Sequence, residues 1–549
     1  MYSGIKMLAA SLALLLPFVA TSPRPTPSYA STLPIHAQSM FTESMEFMDY
    51  FYDQPYGYLY EVTGNMGGRH ETRSSVWYAI GLLARNEGDD VSEAEKIITK
   101  VIESQFKDPD NEWFGDYQQE PEEPEVGSPV YSDSAWDPNW RGFIGTAFIL
   151  GIEEFGHLLS PEVTDLLLES LRNNTIGDTY RNDIIELDNF HPGYSNPWIM
   201  RCFVSSWTGN RLNDSNMTIS GEQYAKQLLD LFDENNQTLS EFNSGTYYGV
   251  SLWALVLCSK YLPKDAILGQ RAPDVVAHVW RSIAELWHPH LLNLAGPWDR
   301  TYGYDMQKYV ALVAFPIWGA VGKSYSSIKQ RPGVIAHHDD FEMAPLHAIV
   351  AETHNSLIPE DVKAALQVFK GEHTYNASIR YPPYDIENRN VTAWLANNIS
   401  IGAQSWYINS SVPGGKMGNM KSYAPGVIQW RLHTNEIGWI LPQVVNNHTV
   451  VEASPGTLTV TYPEGNNASS FSFIVSQFAE KPTVTSLDDI QGLSVNVSGT
   501  VNASYEISFG GSYGGAHSVL NTFEYWNFTW TMPQDSSEVP AISLHVSLE

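Results

Sequence analysis

Two cysteines in 549 residues are too few to staple a fold, so core packing must do what a disulfide framework does in small secreted domains. Cys202 and Cys258 lie in apolar runs with helical spacing. That leaves two readings open, buried free thiols or one bond between neighbouring helices. Basic residues are scarce too. Lys and Arg total 31 against 62 Asp and Glu, giving a net charge of −31, and so acidic a surface repels nucleic acid and anionic membranes. Beyond the N-terminal segment no stretch reaches the roughly 18 apolar residues that cross a bilayer. Metal-ligand spacing is missing: His337-His338-Asp339-Asp340 is a run of neighbours, not a set spaced to close around an ion. No G-x-S-x-G turn leads into a helix, which disfavours a serine hydrolase of the α/β type. The Gly510–Gly515 run has no helix behind it and reads as a hairpin turn, not a phosphate loop. No metal and no cofactor are expected.

What is present begins with an export signal. Lys6 supplies a charge, Met7 to Ala20 a short apolar run, and Ala20-Thr21-Ser22 a small-residue cleavage site, so residues 1–22 read as a signal peptide and the mature chain as secreted. Thirteen Asn-x-Ser/Thr sequons fit that route, at Asn173, Asn213, Asn216, Asn236, Asn376, Asn390, Asn398, Asn409, Asn447, Asn467, Asn496, Asn502 and Asn527. Each is an acceptor for an N-glycan where it reaches the surface.

Near residue 370 the pattern changes. Residues 36–370 alternate amphipathic runs with polar loops, as in Ser92–Phe106 (Ala94, Ile97, Ile98, Val101, Ile102) and Pro161–Leu171, and about a dozen helices result. Residues 371–549 switch to period two and β-branched side chains, as in Thr457–Thr461, Ser470–Val475 and Leu493–Val497, the signature of an antiparallel β-sandwich.

Alternate helices of the first part open on the same kind of cluster. Asp137-Pro138-Asn139-Trp140-Arg141 and Tyr194-Ser195-Asn196-Pro197-Trp198 pair a capping side chain with an early Pro. Arg69-His70-Glu71-Thr72-Arg73, Glu241–Gly249 and Trp298–Asp305 fill comparable places, with His337–Asp340 a weaker sixth. In a ring of helical hairpins the inner helices run parallel, so these starts gather around one cavity while the intervening helices form an outer ring.

On these motifs the chain resembles three things. The arrangement resembles the (α/α)6 toroid plus antiparallel β-sandwich of several polysaccharide-lyase and glycoside-processing families. The helical part is similar to the linalool dehydratase/isomerase-like domain through Glu241–Gly249 and Trp298–Asp305. A group of secreted fungal proteins shares RHxTR, WDPNWRGF, YSNP, EFNSGTY and GPWDRxYGYDM, which read here Arg69–Arg73, Trp136–Phe143, Tyr194–Pro197, Glu241–Tyr247 and Gly296–Met306. The coverage runs over roughly residues 40 to 430. It implies an (α/α)6 toroid followed by a sandwich, and an enzyme.

The clusters offer acid/base chemistry. Glu241 and Asp299 are the first carboxylate candidates; an inverting glycosidase holds two such groups about 6.5–9.5 Å apart. A lyase must neutralise a uronate, for which Asn243, Arg141 and Arg300 are suited, and then needs a base and an acid such as Tyr247, Tyr304 and His70. Arg73, Asn139, Asn196, Trp140 and Trp298 complete the substrate-binding set, the indoles as stacking faces. The expectation is a secreted enzyme that cleaves a glycosidic bond by elimination or hydrolysis. Its alternatives are a dehydratase, isomerase or cyclase acting on a terpenoid or polyketide, and a non-catalytic glycan-binding surface protein.

Overall fold

The computed structural model describes residues 28–61, 68–124, 137–181, 190–299, 311–328, 338–382, 385, 388–407, 423–433, 436–443, 446, 448–476, 484–513 and 523–549. The signal-peptide reading of residues 1–22 lies outside them. The helices are α1 (Tyr29–Thr32), α2 (Ile35–Asp49), α3 (Thr72–Arg85), α4 (Asp90–Glu103), α5 (Trp140–Phe155), α6 (Pro161–Asp178) and α7 (Ser195–Leu212), followed by α8 (Ser215–Glu234), α9 (Gly245–Tyr261), α10 (Ile267–Leu286), α11 (Ala311–Val321), α12 (Ala344–Ile349), α13 (Ala351–Leu357) and α14 (Glu360–Gln367). Short strands β1 (Tyr52–Asp53), β2 (Tyr58–Tyr60), β3 (His70–Glu71), β4 (Trp287–His288), β5 (Asn293–Leu294) and β6 (Trp298–Asp299) punctuate them.

The helices close into a two-layered toroid. α3 packs on α5, α5 on α7, α7 on α9, α9 on α11, α11 on α12, and α12 back on α3. Outside this ring α4, α6, α8 and α10 cover α3, α5, α7 and α9, α13 and α14 cover α11, and α2 covers α12. Sequence explains the layering. Inner helices are enclosed all round: every residue from Thr72 to Ala84 and from Ser195 to Gly209 is buried, as expected of a helix with neighbours on both sides. Outer helices carry one stripe, such as Ala94, Ile97, Ile98, Val101 and Ile102 on α4. Gly249 lets α9 touch α11, where a Cβ would stand 2.4 Å from the Leu312 backbone.

The second part contains β7 (His373–Ile379), β8 (Arg389–Ala396), β9 (Ile399–Gln404), β10 (Trp406–Tyr407), β11 (Tyr423–Ala424), β12 (Gly426–Arg431), β13 (Ile437–Gln443) and β14 (His448–Ser454), then β15 (Thr457–Thr461), β16 (Ser470–Ser476), β17 (Leu493–Gly499), β18 (Tyr505–Tyr513), β19 (Phe523–Thr531) and β20 (Ala541–Leu548). They form an eight-stranded sheet, β18-β19-β16-β13-β12-β9-β8-β7, and a five-stranded sheet, β10-β14-β15-β20-β17. The middle strands β9, β12 and β13 of the larger sheet are buried on both faces. Trp394, Ile428, Ile440 and Phe473 join the core between the sheets, while their chain neighbours Leu395, Val427, Leu441 and Ile474 join the toroid's core. Alternation along a strand sends successive side chains to opposite faces, so one sheet serves both halves.

The expected toroid and sandwich are therefore present. The Gly510–Gly515 reading needs correction: Gly510 and Gly511 lie inside β18, at a bulge between Phe509 and Gly511, and residues 514–515 lie outside the described ones. His288 follows α10 in β4 and bonds Ala396 O across to the sandwich at 2.8 Å. Cys202 and Cys258 are buried free thiols, not a disulfide.

Three buried histidines give the fold an acid limit. Burial pushes His347 and His354 down to about 3, and His288 to about 4. Neither ring nitrogen of His347 has a hydrogen-bond partner among the described residues. In the unfolded chain each binds a proton near pH 6.5, so the unfolded state holds more protons and stability falls as pH drops from about 6.5 towards the folded values. Urea unfolding between pH 7 and pH 4 tests this. His347→Leu should flatten the acid slope by about 1.4 kcal/mol per pH unit, whereas an unchanged slope means that His347 is protonated in the native state.

Candidate active site at the inner-helix starts

The inner-helix starts meet at one end and are tied to one another. Trp140 Nε1 at the start of α5 donates to Thr72 Oγ1 at the start of α3, 3.1 Å. Asn139 Nδ2 lies 3.5 Å from Tyr194 OH at the start of α7. One α7 residue, Asn196, donates its backbone N–H (3.1 Å) and its amide (2.9 Å) to Glu241 Oε2, just before α9. Asn243 Nδ2 in turn donates to Ala295 O (2.7 Å) and Pro297 O (2.6 Å), ahead of β6. The orphan amides of a helix start need acceptors, and at α7 the neighbouring cluster supplies one in Glu241.

This changes what several side chains have left to offer. Glu241 and Asn196 are each 1 % exposed and bonded to each other, so Glu241 is a capping carboxylate for α7. Asn243 is wholly buried with both amide protons on backbone carbonyls, and a uronate finds no donor there. Arg141 also needs correction. Its guanidinium is buried, donates to Glu112 O and Phe114 O at 3.1 and 2.9 Å, and stands 3.7 Å from Asp116, so it anchors the loop before Tyr117. His70 is flanked on both ring nitrogens, by Glu122 at Nδ1 and by Asp53 at Nε2, 3.5 Å away, with Tyr60 stacked on the ring at 4.4 Å. A base for substrate needs a nitrogen turned to substrate, and His70 turns both to acids. Trp298 is buried in β6, and so serves packing. Arg300 and Tyr304 lie outside the described residues, as does His337.

Others stay at the surface of the mouth. Tyr247 alone in the Glu241–Gly249 segment is half-buried; its neighbour Tyr248 turns inward, where its hydroxyl accepts from Asn243 N at 2.6 Å. Arg73, Asn139 and Asp299 each keep 9 % of their surface, and Trp140 8 %. Arg73 pairs with Glu71 at 3.0 Å and lies over the Trp140 ring at 4.5 Å. Asp299 sits in β6, in register with Tyr423 of β11 in the sandwich half.

Four further residues belong here that were not among the expected site residues. Arg181 Nη1 donates to Asn139 Oδ1 at 3.1 Å, and its guanidinium carbon stacks 3.6 Å from the Phe190 ring centre. Tyr194 shares Asn139 with it. His191 accepts from Gly193 N at 3.0 Å and meets Tyr381 of the second half edge-on at 5.4 Å. Glu120 follows the segment whose Gln118 and Gln119 carbonyls accept from Thr72; burial raises its carboxyl to about 7 despite the Arg69 charge that opposes the shift. A carboxyl of that kind is a general acid at neutral pH. Only Tyr194 had a signal in the sequence, as the first residue of the YSNP start.

The chain belongs to the family described as a domain of unknown function, DUF8769, whose model matches residues 38–352; a second description of the same kind, DUF8770, matches residues 371–547. No curated protein matches the chain in sequence. Among solved structures, a chondroitin AC lyase mutant of Streptomyces coelicolor A3 is 11% identical, with a TM-score of 0.40, over 96% of this chain and 80% of that one. A heparinase III is 9% identical, with a TM-score of 0.36, over 93% and 84%. An endoglucanase, CelQ of Clostridium thermocellum, complexed with cellobiose and cellotriose, is 10% identical, with a TM-score of 0.31, over 95% and 93%. The architecture described above rests on this chain's own helix and strand pairings.

The division between built-in and surface-facing residues is testable. Asn243→Ala leaves two buried carbonyls unpaired and should cost at least about 2 kcal/mol in urea unfolding. Tyr247→Phe should stay within about 0.5 kcal/mol of wild type. Equal losses in the two variants would erase the distinction.

Proposed function

We propose that the inner-helix starts form the mouth of a site where a carbohydrate loses a carbon–oxygen bond by acid/base chemistry, in a protein that is exported. The observation that carries this is the Asn139–Arg181–Tyr194 group, an amide, a guanidinium and a phenol joined at 3.1 and 3.5 Å beside the aromatic faces of Trp140 and Phe190. A guanidinium and an amide together suit the carboxylate of an acidic sugar, and the Phe190 ring backs the Arg181 guanidinium at 3.6 Å.

Elimination is favoured over hydrolysis by a pair of carboxylates. Glu241, one member of the expected pair, caps α7 through Asn196, whereas Tyr194 and Tyr247 bring phenols to the starts of α7 and α9. In the elimination, Arg181 and Asn139 hold the sugar carboxylate and so acidify the proton on the adjacent carbon. One tyrosine, as its phenolate, takes that proton and becomes neutral, while an acid, Glu120 or the other tyrosine, gives a proton to the departing oxygen as the carbon–oxygen bond breaks. A cysteine-assisted dehydratase is less well supported, since both thiols are buried and burial raises the pKa of each.

The experiment is a panel of uronate-containing and neutral polysaccharides, read for the ultraviolet absorbance of an unsaturated uronate and for new reducing ends. The first signal is expected, on a uronate polymer. Arg181→Ala and Tyr194→Phe should each lower kcat/KM by about 10²–10⁴-fold with the melting temperature within a few degrees of wild type. Reducing ends without the absorbance would point to hydrolysis. Silence across the panel, or full activity in both variants, would sink the assignment.

A further inference from the structure

Away from the mouth, a groove of about 510 Å³ lies where the toroid meets the sandwich, lined by Asn235, Asn236, Thr238, Tyr375 to Ser378, and Asn390 to Thr392. Those residues contain two whole sequons, Asn376-Ala377-Ser378 and Asn390-Val391-Thr392, and the Asn236 and Thr238 ends of a third, Asn236-Gln237-Thr238. The first two sit on neighbouring antiparallel strands in reciprocal register, Asn376 opposite Thr392 and Ser378 opposite Asn390. The alternation of a strand then puts all four polar side chains on one face. The third comes from the α8–α9 loop of the toroid, where Asn236 is held at a left-handed φ of 55°.

The three asparagines are exposed. Asn376 accepts from Thr392 Oγ1 at 3.0 Å through its carbonyl oxygen, and none of the three amide nitrogens has a partner among the described residues. Asn235, one position earlier, shows the contrast: its amide donates to Arg380 O and Ser240 Oγ, both 2.9 Å, and accepts from Arg380 N at 2.8 Å. That amide pins the toroid to the first strand of the sandwich directly beneath the groove. Tyr375, one position before Asn376, faces the other way along the strand, with its hydroxyl 3.3 Å from Ser282 Oγ of α10.

We propose that Asn236, Asn376 and Asn390 carry N-glycans whose first sugars share this groove and brace the joint between the two halves. An N-linked sugar needs an asparagine whose amide nitrogen the fold has not used, and here three such nitrogens converge from both sides of one joint. The volume falls in the range of small-molecule sites, about 300–1,000 Å³, and so has room for sugar rings.

The full chain, sent through the secretory pathway of a glycosylating eukaryotic host behind that host's own leader, gives the test. Peptide mass spectrometry after enzymatic deglycosylation reports occupancy. Native-state release is then timed at each site against Asn216, an exposed sequon at the start of α8 whose side chain has no partner among the described residues. All three sites should be occupied, with release about tenfold or more slower than at Asn216, because the sugars must first leave the groove; denaturation should abolish the difference. An unmodified Asn236, Asn376 or Asn390 overturns the convergence. Release as fast as at Asn216 overturns the bracing.

Discussion

The bond between Asn196 and Glu241 is the constraint on which the rest of the toroid depends. A parallel ring of helices brings every inner N-terminus to the same end, and with it a set of unpaired amides and aligned dipoles. Left alone, those ends would repel one another and demand water. At α7 the Asn196 N–H instead finds its acceptor in the Glu241 carboxylate ahead of α9, and side-chain bonds through Thr72, Tyr194 and the Ala295–Pro297 backbone join the neighbouring clusters. The Glu241 carboxylate is the strongest of these acceptors, because a charged oxygen facing a helix start gains from both the bond and the dipole.

The same belt connects the two halves. Asn243 fixes residues 295–297, whose backbone is close enough to the sandwich that a Cβ on Gly402 would stand 1.6 Å from Gly296 O. Gln429 reaches back to Leu294 O at 2.8 Å, and β6 pairs with β11. The position of Asp299 at the mouth is thus set from both sides, by a helical cluster and by a strand of the other half. One apolar core running from the toroid into the inner face of the eight-stranded sheet makes this joint a packed interior, with little freedom for the halves to move independently.

Much of the architecture was legible in the sequence because it rests on local periodicity. The stripe on α4 and the alternation in β15 and β16 announce helix and strand directly. The two-sided burial of β9 and β13 was not legible, since Ile399–Gln404 and Ile437–Gln443 are buried along almost their whole length and a buried sheet gives no polar face to read. At the site, the clusters themselves could be read, but which of their atoms were already committed could not. Asn196 and Glu241 are 45 residues apart in the chain, and Asn243 and Ala295 are 52 apart. A residue type reveals hydrogen-bonding capacity and never the distant partner that consumes it. Arg181 was hidden for the same reason, its partner Asn139 lying 42 positions away.

A double-mutant cycle between Asn196 and Glu241 tests the account most directly, with Asn196→Ala, Glu241→Ala and the double variant unfolded in urea at neutral pH. A buried, charge-assisted link between two inner helices predicts that the two losses fail to add by about 1.5–3 kcal/mol. Losses that add to within about 0.5 kcal/mol would show that the two residues do not hold the ring together, and the tied mouth would have to be abandoned.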